Sequence, residues 1–355
     1  MLKKLKKLWT KQNKKAFGLF LLYDKCMNYL LNCLEIAHRI QKLKPWQSFY
    51  ELDFFEIRAY EQEPIYVSIM GKAGITYGLN FYFGKQAFNE LLYLVDHPEL
   101  PNLQKARFQD ALVVFYDKRD ELNEEDLAQL EAADIKLSKA QRGPYLRSIR
   151  KNYPRHVSDE ELQHLYFALT MFEKALLRYK ANKPIVYFPY GECLAYRENK
   201  NHIWSLRALD LDFSDLEYPE PSFSFEEVKQ LNRNPFDQQI EIDTPFINAL
   251  VDVDEKHPYF VRALMIVGVD DGHVYEHRIL KQDEDISEAY AEAMIDFVEK
   301  YGRPEAIIVR DPEAASALDM LSAVLQIPLA IFDVLVGIDD FNESFTDFKT
   351  KTRFN

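Results

Sequence analysis

Residues 260–280, FVRALMIVGVDDGHVYEHRIL, and residues 306–335, AIIVRDPEAASALDMLSAVLQIPLAIFDVL, decide how this chain is read. Two β-type runs, 260–269 and 273–280, flank Asp271-Gly272, a dipeptide suited to the left-handed backbone of a tight hairpin turn. Ile286, Tyr290, Ala293, Met294, Phe297 and Tyr301 then recur at helical spacing, and Gly302 stands where a C-terminal cap belongs. A strand ending in Val309-Arg310-Asp311 follows, then a helix opening at Asp311-Pro312, then a last strand over 329–335. The order ββαβαβ predicts a compact α/β domain with a mixed sheet.

Outward from there, 355 residues exceed one ordinary core, so two domains are expected. Cys26, Tyr29, Leu30, Cys33, Ile36, Ala37 and Ile40 predict a helix over 22–43, stopped by Lys44-Pro45. Runs at 54–60, 65–70, 75–83 and 111–116 are of β type, with a short helix over 85–95 between the last two. Asn123 caps a helix, and Ser158 with Glu161 has the capping-box spacing that opens a longer one to Tyr179. Extended runs at 184–197 and 202–209 precede a stretch rich in Pro, Ser and acid. The predicted organisation is a lysine-rich tail (1–20), an α+β domain (21–210), a linker (211–238) and the α/β domain (239–355).

Composition narrows the function. Hydrophobic content of 47% with 14% aromatics excludes a largely disordered chain. Cys26, Cys33 and Cys193 are too few and too scattered for a disulfide framework or a tetrahedral metal site, which fits a reducing cytoplasm. No run approaches the roughly 18–20 apolar residues of a membrane span. The apolar run 16–23 is broken by Asp24-Lys25, and no small-residue cleavage site follows, so the expected location is the cytoplasm. The net charge is −13, and residues 236–355 hold 25 Asp/Glu against 10 Lys/Arg. Such a half repels a phosphate backbone.

Four features carry candidate chemistry. Residues 136–156 hold Arg142, Arg147, Arg150, Lys151 and Arg155 with Tyr145 and Tyr153 and no acid, a pattern that reads first as balancing acidic neighbours and second as an anion site. Tyr77, Tyr82 and Trp46 are candidates for a docking surface. Seven lysines between Lys3 and Lys15, with Leu2, Leu5, Leu8 and Trp9 on one notional helical face, suit an anionic membrane or nucleic acid. Asp311 before Pro312 reads first as an N-cap.

The C-terminal order resembles the core of ribonuclease H-like folds, a family that includes nucleases, integrases and transposases. The resemblance implies a carboxylate inside the first strand, one at the end of the fourth and one on the last helix, together holding two divalent metals. Asp311 matches the fourth-strand position, and Asp339, Asp340 or Glu343 is placed for the helical one. The run 261–269, taken as the first strand, has no interior acid.

Over residues 22–350 the chain also resembles a family of uncharacterised bacterial proteins that pair two domains of unknown function. The matching pieces include Lys44-Pro45-Trp46, Tyr66-Val67-Ser68-Ile69-Met70-Gly71, residues 77–84, Leu146-Arg147-Ser148 and Gly302-Arg303-Pro304. This resemblance implies no activity, cofactor or catalytic residue. The reading is a two-domain α+β and α/β protein acting as a non-catalytic binding or adaptor module, without metal or cofactor. Its rival is a divergent metal-dependent nuclease using Asp311 with Asp340 or Glu343. Membrane or nucleic-acid association through the tail is a third reading.

Overall fold

Alternation along the strands sets the layers of the N-terminal half. The computed structural model describes residues 28–251 and 258–352, with side chains as far as Ser344. This half runs α1 (Tyr29–Leu43), β1 (Phe55–Arg58), β2 (Ile65–Met70), β3 (Gly78–Phe83), α2 (Lys85–Asp96), α3 (Asn102–Lys105) and β4 (Asp110–Lys118). It continues with α4 (Glu124–Ala132), β5 (Arg142–Arg150), α5 (Asp159–Asn182), β6 (Glu192–Glu198) and β7 (Trp204–Asp210). The sheet order is β5-β4-β3-β2-β1-β6-β7, antiparallel except where β1 meets β6. Val67 and Ile69 of β2 enter one core with Ile36 of α1 and Phe172 of α5. Tyr66, one residue out of step, enters the other and stacks on Phe88 of α2 at 3.9 Å. Both faces are covered, which is why these strands read as nearly continuous apolar runs.

Strand β5 escapes the sequence rules. Its basic residues hide a nine-residue pairing along β4, from Asp110 opposite Arg150 to Lys118 opposite Arg142.

The C-terminal half runs α6 (Phe225–Gln230), β8 (Pro235–Phe236), β9 (Ile240–Asp243), β10 (Phe246–Val251), β11 (Tyr259–Gly268) and β12 (Val274–Ile279). It ends with α7 (Ile286–Tyr301), β13 (Arg303–Pro304), β14 (Ile307–Val309), α8 (Pro312–Leu325), β15 (Leu329–Ile331) and α9 (Val336–Thr352). The hairpin β11–β12 is present, but it is not the start of the sheet. Strand β9 precedes it and sits centrally, antiparallel to β11 and parallel to β14. Strand β10 carries on along β11 after a break at Thr244-Pro245. The central order is therefore β12-β11-β9-β14-β15, and the predicted ββαβαβ gains a leading strand. Helices α7 and α8 bury Tyr290, Met294, Leu318 and Leu321 against one face, while Leu335 and Ile338 cover Met265 and Val267 on the other.

The linker is shorter than residues 211–238. Val228 of α6 is buried in the C-terminal core with Phe223 and Phe236 against it, and β8 pairs with β13. A short amphipathic helix in a Pro- and acid-rich stretch gives too few periodic positions to be assigned to either domain from sequence.

The capping box at Ser158 also explains part of the basic stretch. Glu161 accepts from the Ser158 amide (2.9 Å), Ser148 Oγ (2.8 Å), Arg150 Nε (3.1 Å) and Arg155 Nη2 (2.9 Å). Burial opposes its ionisation, yet these bonds outweigh burial and hold its pKa down at about 2, from 4.5. A depressed carboxylate contributes stability above its unfolded pKa and loses it as pH falls through the folded one. Glu161→Gln should therefore be less stable than wild type by roughly 2 kcal/mol near neutrality, and the gap should close as pH drops from about 4.5 towards 2. Urea midpoints measured from pH 7 to pH 3 check this; a gap independent of pH would contradict it.

Candidate functional site

Parallel neighbours β9 and β14 end at the same edge of the sheet, and each delivers a carboxylate there. Asp243 is the last residue of β9, and Asp311 stands two residues beyond β14 as the N-cap of α8. Asp311 Oδ1 accepts from the Ala314 amide at 2.9 Å, so its cap role is real. Its other oxygen faces a cation from the other half of the molecule. Arg107, in the turn after α3, places Nη2 2.6 Å from Asp311 Oδ2 and donates from Nη1 to Asp243 Oδ1 at 2.7 Å. The Asp311 contact is a close ion pair not aligned as a hydrogen bond.

A second arginine completes the centre. Arg310 donates through Nε to Asp243 Oδ2 (2.7 Å) and through Nη2 to Asp339 Oδ1 of α9 (2.6 Å). Tyr290 OH approaches Asp243 at 3.3 Å, and Arg262 holds Glu313 at 3.1 Å, 3.9 Å from Arg107. The side chains of Asp243, Asp311 and Arg310 are wholly buried, and that of Arg107 is 2% exposed.

Three guanidinium groups thus face four carboxylates: Asp243, Asp311, Glu313 and Asp339. Burial opposes ionisation of Asp243, but Arg107 and Arg310 prevail and hold its pKa well below the usual range. Burial pushes Asp311 up, and the neighbouring Asp243 and Glu313 add to the rise against the pull of Arg107. Asp311 is accordingly the carboxylate on which the surplus negative charge is least well tolerated.

Four acids of the C-terminal half are therefore gathered at one point, and Asp311 does more there than the N-cap duty read for it. What they grip is arginine. Among the described residues no group of three or more His, Cys, Asp or Glu is placed to hold a metal ion. Asp340 and Glu343 are exposed and lie outside the centre, where the helical acid is Asp339. Sequence reasoning missed Asp243 because β9 is only four residues long, and it missed Arg107 because nothing local marks a buried cation. The one available signal for Asp243 was the alternation Ile240-Glu241-Ile242-Asp243, ended by Thr244-Pro245.

The basic stretch divides into two groups. Arg142 lies over the Tyr77 ring and near Asp117, Arg147 is bidentate on Asp126 at 2.6–2.9 Å, and Tyr145 donates to Asp117. These three are occupied within the N-terminal domain. Arg150, Lys151 and Arg155 are also paired at home, with Asp110, Glu90 and Glu161, but together with Tyr153 they line a cleft at the seam between the halves. Along that seam Gln104 pairs with the Phe246 backbone in both directions, at 3.0 and 2.8 Å, as a neighbouring strand would. Asn152 does the same with Phe260, and His97 meets Asp333 at 2.8 Å.

The aromatic docking surface needs correction. Tyr82 is buried, and Trp46 and Tyr77 pack on each other, 5.1 Å between ring centres, against the N-terminal core. Strand β3 is covered on both faces, which buries Tyr82, while Trp46 and Tyr77 stay half-buried beside it. The lysine-rich tail with Lys3 and Lys15 lies outside the described residues. Among the described residues no helix is long and apolar enough to cross a membrane.

Residues 31–195 match the family model Domain of unknown function (DUF7309), and residues 225–346 match Domain of unknown function (DUF6930). The second match begins where α6 begins, in keeping with the packing of that helix on the C-terminal core. No curated protein and no solved structure matches the chain. The chain joins two domains of unknown function, one covering most of its N-terminal half and the other most of its C-terminal half.

Proposed function

We propose that this protein is a non-catalytic binding module, in which the carboxylate centre fastens one domain to the other and the seam between them is the working surface. One observation carries the reading: the Arg107 guanidinium lies 2.7 Å from Asp243 and 2.6 Å from Asp311, filling the space between the two oxygens. A hard divalent cation needs those oxygens free and several more ligands at short distance. A fixed arginine supplies the opposing charge without a coordination site or an activated water. Its place in the cytoplasm is supported by Cys33 and Cys193, which are free and buried.

A second reading has its own support. The strand order β12-β11-β9-β14-β15, with Asp243, Asp311 and Asp339 on the first strand, after the fourth and on the last helix, is the placement that a ribonuclease H-like nuclease would require. On that reading Arg107 stands in for the metals and would have to leave before any hydrolysis.

The two readings part on metal uptake. Titration of the full chain with Mn2+, and incubation with an RNA–DNA hybrid in Mn2+ or Mg2+, should give neither stoichiometric uptake nor cleavage, for wild type and for Arg107→Ala alike. Cleavage by either protein that Asp243→Asn abolishes would overturn the proposal in favour of the nuclease.

A further inference from the structure

We infer that the cleft at the domain seam binds a small phosphate-bearing ligand of nucleotide size, with phosphates on its cations and a planar ring against its aromatic wall. The inference rests on the non-catalytic binding reading and names the ligand class for it.

The cleft encloses about 470 Å³, within the range of small-molecule sites. Its cations come from both halves of the molecule: Arg150, Lys151 and Arg155 on one wall, Arg262 and Lys281 on the other, against one lining carboxylate, Glu284. The lining is rich in cations for a chain of net charge −13, and four of them are paired with acids beside the cleft: Arg150 with Asp110 and Glu161, Lys151 with Glu90, Arg155 with Glu161 and Arg262 with Glu313. Two of the carboxylates that hold these cations, Glu90 and Glu161, sit deeper than the cations do, whereas Asp110 beside Arg150 and Glu313 beside Arg262 are about as exposed as their partners. Glu90, 2.6 Å from Lys151, is fully buried, and Glu161 is 10% exposed, whereas Arg150, Lys151 and Arg155 are 27–39% exposed. Buried acids therefore fix the orientation of basic groups whose outer edges meet solvent. An anion arriving there finds donors already ordered, which lowers the entropy that binding must offset.

Two further features select the ligand. Tyr153 and Phe260 stand edge to face at 5.4 Å, one from each domain, and Tyr153 is 36% exposed. An aromatic face beside clustered guanidinium groups suits a heterocyclic base joined to phosphate. Asn152 ties the two walls together by its paired hydrogen bonds to the Phe260 backbone, so the cleft is formed before any ligand arrives. Size is set by charge outside the cleft. A long polyanion leaving it along the C-terminal half would meet the excess of 25 Asp/Glu over 10 Lys/Arg in residues 236–355, whereas a single nucleotide stays within the cleft.

The test uses the full chain with ATP, inorganic tripolyphosphate and adenosine as calorimetric probes. ATP should bind more tightly than tripolyphosphate, adenosine should not bind measurably, and the ATP affinity should fall as salt rises. Lys281→Glu, at an exposed position, should weaken ATP about tenfold or more without lowering the melting temperature. Tyr153→Ala should weaken ATP but leave tripolyphosphate unchanged. Failure of ATP and tripolyphosphate to bind at millimolar concentration, or binding indifferent to Lys281→Glu, overturns the inference and leaves the binding-module reading standing. Tighter binding of a single-stranded oligonucleotide through the same residues overturns the ligand-size assignment. Turnover of bound ATP would instead refute the non-catalytic reading while the site itself survived.

Discussion

Arg107 is one side chain from the N-terminal domain, buried between two carboxylates of the C-terminal domain, and in the proposed function it is the tie on which the relation of the two halves depends. Isolated in a low-dielectric interior, any of the three charges would be prohibitively unfavourable. Together they are tolerable, but only while the two domains stay in contact. That makes the centre a poor source of net stability and a strong source of specificity, because breaking it strands a charge. The backbone pairings by Gln104 and Asn152 repeat the logic in neutral form: each gives an exposed strand edge of the C-terminal sheet a partner from the other domain.

The position of the centre follows from the sheet. In open α/β folds the carboxyl ends of adjacent parallel strands form an edge where side chains and ligands collect. Here β9 and β14 bring Asp243 and Asp311 to that edge, the N-terminus of α8 gives Asp311 an amide partner, and α9 adds Asp339. Such a convergence usually receives a substrate or a metal. In this chain it receives another domain, and Arg262 links it to the basic cleft by contacting Glu313 on one side and lining the cleft on the other.

Much of this architecture was legible in the sequence, and the rest was hidden for physical reasons. Asp271-Gly272 gave the hairpin, Ser158 and Glu161 gave the capping box, and Asp311-Pro312 gave the start of α8, because each is a local device with local rules. The leading strand β9 was lost because four residues show too little periodicity. The nine-residue strand β5 was lost because arginines occupy positions where apolar alternation would announce a strand. The candidate site depended on contacts far apart in sequence: Arg107 and Asp243 are 136 residues apart. No spacing rule reaches that far. The basic stretch was visible, but which of its cations reach the seam is a property of the folded surface.

Calorimetric unfolding of the Arg107→Ala variant beside wild type addresses the central claim directly. If this guanidinium couples the domains, wild type should melt in one cooperative transition. The variant should then lose about 3–5 kcal/mol and separate into two transitions, one for each domain. A variant that melts in one transition at the wild-type temperature would show that Arg107 fastens nothing.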